Sequence, residues 1–178
     1  MAVSKLWSIN EDGLSRVLQY AANPKKTNNK LYISGINCEP ETAYEEFTAV
    51  KRSYAKADGI EAYHGYLSFK EQNITPELTM KIGTEFAQEV WGKRFQVLVT
   101  VHTDTEHPHC HFVINSVSFV DGKKLWGEEK AWFKFKQTAD RLCEKYGLYY
   151  NPKLVRGKSS SYHYNREKKG EPTRYLLA

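Results

Sequence analysis

An α+β fold, with a mainly antiparallel central sheet of about five strands and helices packed on its faces, is predicted by three features of the 178-residue chain. Segments rich in β-branched and aromatic residues alternate with segments whose apolar residues recur at helical spacing. Their order reads β-α-β-α-β-α-β-β-α, which mixes crossovers with a hairpin. The hairpin itself joins two well-formed strand patterns through a polar connection of six residues, 103–108.

Residues 2–8 form a short candidate first strand. A helix follows over 11–22, with Leu14, Val17, Leu18 and Ala21 on one stripe, Asn10 as its N-cap and Asn23-Pro24 as its stop. The loop over 24–30 is basic and turn-rich, and 31–34 is a short strand ended by Gly35. Pro40 suits the first turn of a helix running from about 39 to 56. Asp58-Gly59 is a turn before a long strand over 60–70. Thr75-Pro76 starts a helix over 76–91 that closes at Gly92. Strands over 94–101 and 109–119 form the hairpin, Asp121-Gly122 is a turn, and a last helix over 132–146 stops at Gly147.

The composition, 40% hydrophobic and 26% charged, suits an ordinary globular domain. No apolar run reaches the roughly 20 residues of a membrane span, and the first residues lack a signal-peptide core. Three widely spaced cysteines, Cys38, Cys110 and Cys143, without a CxxC pair argue for a reducing cytoplasm. The net charge of +5 is concentrated: residues 151–178 hold seven Lys/Arg against two Glu, and the first 150 residues are balanced. Tyr162, Tyr164 and Tyr175 are interleaved there. Such a segment is either a contact for phosphates and unstacked bases or a solvated tail.

The densest chemical signal is His102-Thr-Asp104-Thr-Glu-His107-Pro-His109-Cys-His111, with four of the six histidines in ten residues. In a hairpin His102 ends one strand roughly opposite His109. His109 and His111 then share a face, about 7 Å apart, with cross-strand neighbours about 5 Å away. Three neutral imidazoles converging from two strands make a metal site with open positions, suited to zinc, nickel, cobalt or manganese. Asp104 either holds a ligand ring through its distal nitrogen or simply makes the turn. His107 is a candidate for a supporting or substrate-facing role. Asn115 lies on the same face and either touches substrate phosphate or satisfies a buried backbone group. His64, Tyr66 and Ser68 share one face of a neighbouring strand, for sheet packing or for contact with the site. Tyr20 ends the first helix beside the basic loop; as a nucleophile it needs a base or a nearby cation.

The histidine run, with Asn115 after it, resembles the third motif of conjugative relaxases, mobilisation proteins of the HUH endonuclease group. Leu18-Gln-Tyr20-Ala-Ala-Asn-Pro24-Lys-Lys-Thr27, Ser34-Gly-Ile-Asn-Cys38, His64-Gly-Tyr-Leu-Ser-Phe69 and Asp121-Gly-Lys-Lys124 follow the same family's order and cover nearly all of residues 1–147. The likeness is greatest to the tyrosine relaxases of the MOBP class. It implies a relaxase domain over 1–150, with 151–178 as a DNA-contacting tail or the start of a longer C-terminal region. It implies His102, His109 and His111 as ligands of a divalent ion, Mg or Mn in cells with Zn, Ni or Co as possible substitutes, and no nucleotide cofactor. Tyr20 is the implied nucleophile, assisted by Asp104 or His107. The implied partner is single-stranded or hairpin DNA at a transfer origin, gripped by Lys25, Lys26, Asn115, Lys123, Lys124, Arg156, Lys158 and Arg166. Accessory mobilisation proteins, a coupling protein and a bacterial cytoplasmic location complete that expectation. Three other readings fit parts of the pattern: a rolling-circle replication initiator of the same group, a metal-free histidine-triad nucleotide hydrolase, and a non-catalytic DNA-binding module with a structural metal.

Overall fold

The computed structural model describes residues 3–71, 73–125 and 128–150. The expected tail, with Arg156, Lys158 and Arg166, lies outside the described residues. Five strands make one sheet: β1 (Val3–Ile9), β2 (Ile33–Ile36), β3 (Ala62–Ser68), β4 (Val97–His102) and β5 (His109–Asn115). They lie in the order β1-β3-β5-β4-β2, and every neighbouring pair is antiparallel. The histidine strand β5 is therefore central, with β3 on one side and β4 on the other.

The alternation of side chains along β5 sorts its residues between two cores. On one face α1 (Leu14–Ala21) and α2 (Ala43–Ser53) pack Leu14, Val17, Leu18, Ala21 and Phe47 against Leu98 and Val113. The stripe expected for the first helix is the stripe that is buried. On the other face α3 (Pro76–Val90) and α4 (Glu128–Lys145) cover Val97, Val99, Cys110, Phe112 and Ile114. Phe86 anchors this side, in edge contact with Phe135 at 4.7 Å and tilted against Phe112 at 5.4 Å. Each such buried ring or branched side chain contributes about 1.5–3 kcal/mol of transfer free energy.

A glycine inside α3 sets how closely that helix approaches. A Cβ on Gly83 would lie 2.3 Å from the Cys110 sulfur, so only glycine lets α3 sit this near β5. Cys110 Sγ–H donates to the Thr79 carbonyl at 3.1 Å, tying the same helix to the back of the histidine strand.

Element ends shift where distant groups intervene. The first helix begins at Leu14, capped not by the Asn10 side chain but by Glu61, whose Oε2 accepts from the Leu14 N–H at 2.9 Å. The α3 cap is as expected: Thr75 Oγ1 accepts from the Leu78 N–H at 3.2 Å. Strand β5 ends at Asn115, earlier than its β-rich composition predicts. The chain there folds into a separate turn closed by the Val117–Lys124 bridge. No helix among the described residues is long and apolar enough to cross a membrane.

Candidate metal centre

Strand register brings the three imidazoles together. His102 pairs directly with His109, and His111 follows two residues along, flanked by Thr100 on β4 and Tyr66 on β3. All three project to the α1 face, above the last turn of that helix. Ring centroids are 4.1 Å apart for His102–His111, 4.9 Å for His109–His111 and 5.6 Å for His102–His109. One nitrogen from each ring lies within 4.8 Å of the other two.

Hydrogen bonds decide which nitrogen each ring presents. His102 Nε2 lies 3.0 Å from the Ala21 carbonyl, and His109 Nδ1 lies 2.9 Å from the His107 carbonyl. A carbonyl only accepts, so those nitrogens carry the protons, leaving the lone pairs on His102 Nδ1 and His109 Nε2. His111 Nδ1 is 2.9 Å from His64 Nε2. Its other nitrogen, Nε2, is buried without a hydrogen-bond partner among the described residues. Such an orphan costs about 1–3 kcal/mol unless something satisfies it. A divalent cation fits this donor set, since each ring is already anchored through its second nitrogen as metal-binding histidines are.

Burial favours the neutral form of His111, His64 and His102, and a neutral ring is the form that donates a lone pair to a metal. It holds His111 far below the ordinary imidazole range, with the neighbouring histidines and Lys26 adding to the effect. It pushes His64 down to about 4, with His102 reinforcing the shift, and it lowers His102 in the same direction.

Tyr20 stands over this group. It is 44% exposed, and its ring meets His102, His111 and His64 edge-on at 5.4, 5.7 and 5.9 Å. Lys26 Nζ lies 4.7 Å from the tyrosine ring centroid and 3.2 Å from Asp104 Oδ2. Partial desolvation opposes ionisation of Asp104, but the hydrogen bond and charge of Lys26 outweigh it and hold the carboxyl below its usual range. The Lys26 carbonyl accepts from the Thr103 N–H at 2.7 Å, pinning the basic loop to the end of β4.

Two expectations are corrected by these contacts. Asp104 does not orient a ligand ring, because Ala21, His107 and His64 already occupy the three second nitrogens; its carboxylate holds Lys26 instead. Asn115 cannot touch DNA. It shares the expected face but is 0% exposed beneath α2, donating to the Phe47 carbonyl at 3.2 Å and to Gln96 Oε1 at 2.9 Å. The alternative reading, a buried backbone group satisfied, is the one that holds. His107 supports the site through its backbone carbonyl. Lys25 is exposed on the loop that carries Lys26.

Lys123 and Lys124 lie at the opposite end of the hairpin strands. There Lys56, Arg94, Phe95, Lys123, Lys124 and Leu125 line a cavity of about 620 Å³. The alternation in β3 puts His64 on one face with Tyr66, without showing what its ring touches. That its ring meets His111 follows only from the β3–β5 register.

The family model described as the MobA/VirD2-like relaxase nuclease domain matches residues 20–148. Protein rlx of Staphylococcus aureus is 37% identical over 148 residues, covering 83% of this chain and 44% of that protein. The group II intron-interrupted relaxase LtrB of Lactococcus lactis subsp. cremoris is 25% identical, covering 86% of this chain and 34% of its own length. The chain thus spans less than half the length of the curated relatives it matches. Among solved structures, the MobM relaxase domain bound to plasmid pMV158 oriT DNA, in its Mn-bound form, superposes with a TM-score of 0.60 at 12% identity. It covers 92% of this chain and 98% of that one. A structure from work on vancomycin resistance transfer in Staphylococcus aureus gives a TM-score of 0.59 at 15% identity, covering 89% of this chain and 99% of that one.

Proposed function

We propose, from the premise that this chain belongs to the MobA/VirD2-like relaxase family, that it nicks and rejoins single-stranded DNA at a transfer origin during conjugative mobilisation. The observation that carries the proposal is the Tyr20 ring standing 5.4–5.9 Å from the rings of His102, His111 and His64, the first two of which belong to the clustered triad. In this reading His102, His109 and His111 would hold a divalent cation, which would supply positive charge against the negative charge developing on the phosphate oxygens. Three imidazoles suit a transition-metal ion better than Mg. The Mn-bound form of the MobM relaxase domain makes Mn the ion to test first.

Tyr20 Oη attacks phosphorus, a Tyr20 O–P bond forms, and the P–O3′ bond breaks. The tyrosine proton is lost and the departing 3′-oxygen takes one up, giving a 5′-phosphotyrosine and a free 3′-hydroxyl. His107 remains a candidate to carry that proton. The link keeps the phosphodiester energy, so attack by the 3′-hydroxyl reseals the strand without a nucleotide. Lys26, steadied by Asp104, sets a positive charge beside the attacking residue, and Lys25 on the same loop offers phosphate contact. The share of His102 in the cluster favours this reading over a metal-free histidine-triad hydrolase, which leaves that residue without a role.

Incubation with Mn and single strands tiled across the element's transfer origin should yield a covalent adduct, visible on a denaturing gel and mapped to Tyr20 by mass spectrometry. Tyr20→Phe should eliminate it while strand binding persists. An adduct surviving in that variant would overturn the nucleophile assignment.

A further inference from the structure

We propose that Trp7 and Tyr66, with Lys5 beside them, form a subsite that stacks an unpaired base flanking the scissile phosphate. The proposal takes its orientation from the DNA-cleavage reading above. Strand register puts the group on the histidine face: Lys5 pairs with Tyr66, which pairs with His111, and Trp7 pairs with His64. Helices α1 and α2 cover the lower part of that face, around Leu98 and Val113. The aromatic pair lies beyond them, toward the edge strand β1. Two strand spacings, about 10 Å, separate β1 from β5, a distance that a neighbouring nucleotide spans.

Neither aromatic is used by the apolar cores. Trp7 and Tyr66 are half-buried and belong to neither hydrophobic cluster. Trp7 meets His64 at 4.5 Å and Tyr66 at 6.3 Å, with interplanar angles of 62° and 63°, so neither ring stacks parallel on the indole. Exposed Lys5 places its ammonium 5.8 Å from the indole centroid. Half-buried aromatic rings without a parallel-stacked partner, beside a cation for the adjoining phosphate, are what a single-stranded nucleic acid requires and what a neutral peptide does not. Continuity with Tyr20 at one end gives the strand a path: phosphate over the histidines, next base on Trp7 and Tyr66. Packing against His64 explains one edge of Trp7 but neither the lysine nor the exposed surface.

The test uses end-labelled dT12 and a 12-mer of abasic tetrahydrofuran residues, with binding read by fluorescence anisotropy in EDTA. Metal loss and turnover then contribute nothing, and failure here is separable from failure of the adduct assay. Wild type should prefer dT12. Trp7→Ala should weaken dT12 binding about tenfold or more and leave the abasic strand unchanged, with Trp7→Phe recovering most of the loss. Tyr66→Leu provides the same comparison should Trp7→Ala fail to fold. Equal loss on both strands, or no loss in either variant, would overturn the subsite.

Discussion

The two ends of the β4–β5 hairpin both gather polar side chains, but among the described residues only one end leaves a buried imidazole nitrogen without a partner. At the basic end the four cations that line the cavity are already engaged. Lys56 Nζ donates to the Gly122 carbonyl at 2.6 Å, and Lys124 Nζ to the Asp58 carbonyl at 2.9 Å. Arg94 grips both oxygens of Asp121 at 2.8 and 3.0 Å, and Lys123 lies 3.6 Å from the same carboxylate. At the histidine end three rings are anchored from behind, and His111 Nε2 is left buried without a partner. What distinguishes the histidine end is a free ring nitrogen among anchored imidazoles, not the density of charge. Lys123 and Lys124 also brace the turn after β5.

The largest effect that sharpens this contrast is at the histidine end. His111→Ala should abolish Mn binding, followed by isothermal calorimetry, and lower adduct formation by about a thousandfold or more. Lys124→Ala should leave both unchanged; a comparable loss there would break the comparison. Next comes the ring behind the ligand. His64→Leu removes the group that faces His111 Nδ1 and should weaken Mn affinity about 10–100-fold. His64→Gln, which keeps an acceptor, should restore part of the loss.

Acidification gives a further separation. In metal-free protein His64 is held at about 4, below its unfolded value of 6.5, and His102 and His111 are displaced the same way. The unfolded chain therefore binds more protons below about pH 6.5. Stability is fully present above that pH. It should fall by a few kcal/mol as pH drops toward 4, measured by urea denaturation in EDTA, and His64→Gln should flatten the slope. The smallest effect is on strand binding. Lys26→Ala should weaken binding of dT12 and reduce its salt dependence, whereas Lys123→Ala should change either by less than about twofold.

Much of the fold was legible because periodicity is local. The β5 pattern places His109 and His111 on one face and Cys110 on the other, and the short polar connection puts His102 opposite, as the register shows. Tyr20 came from a helix end beside a basic loop and from motif resemblance, and folding sets it over the histidines. The misread residues depend on partners far along the chain. Asn115 is covered by α2, Leu14 is capped by Glu61, and Asp104 is claimed by Lys26. Parity along a strand says which face a residue occupies, but not whether a helix lies over it. Nor does it say which of several nearby donors wins a carboxylate.

The missing methyl at Gly83 has a consequence for how the ion is held. With α3 wedged against the rear of β5, the strand that carries His109 and His111 has a packed backing supplied by the protein itself. The ion is then a passenger and not a scaffold. Chelation should leave the circular dichroism spectrum of the domain intact, and one divalent species should exchange for another without refolding.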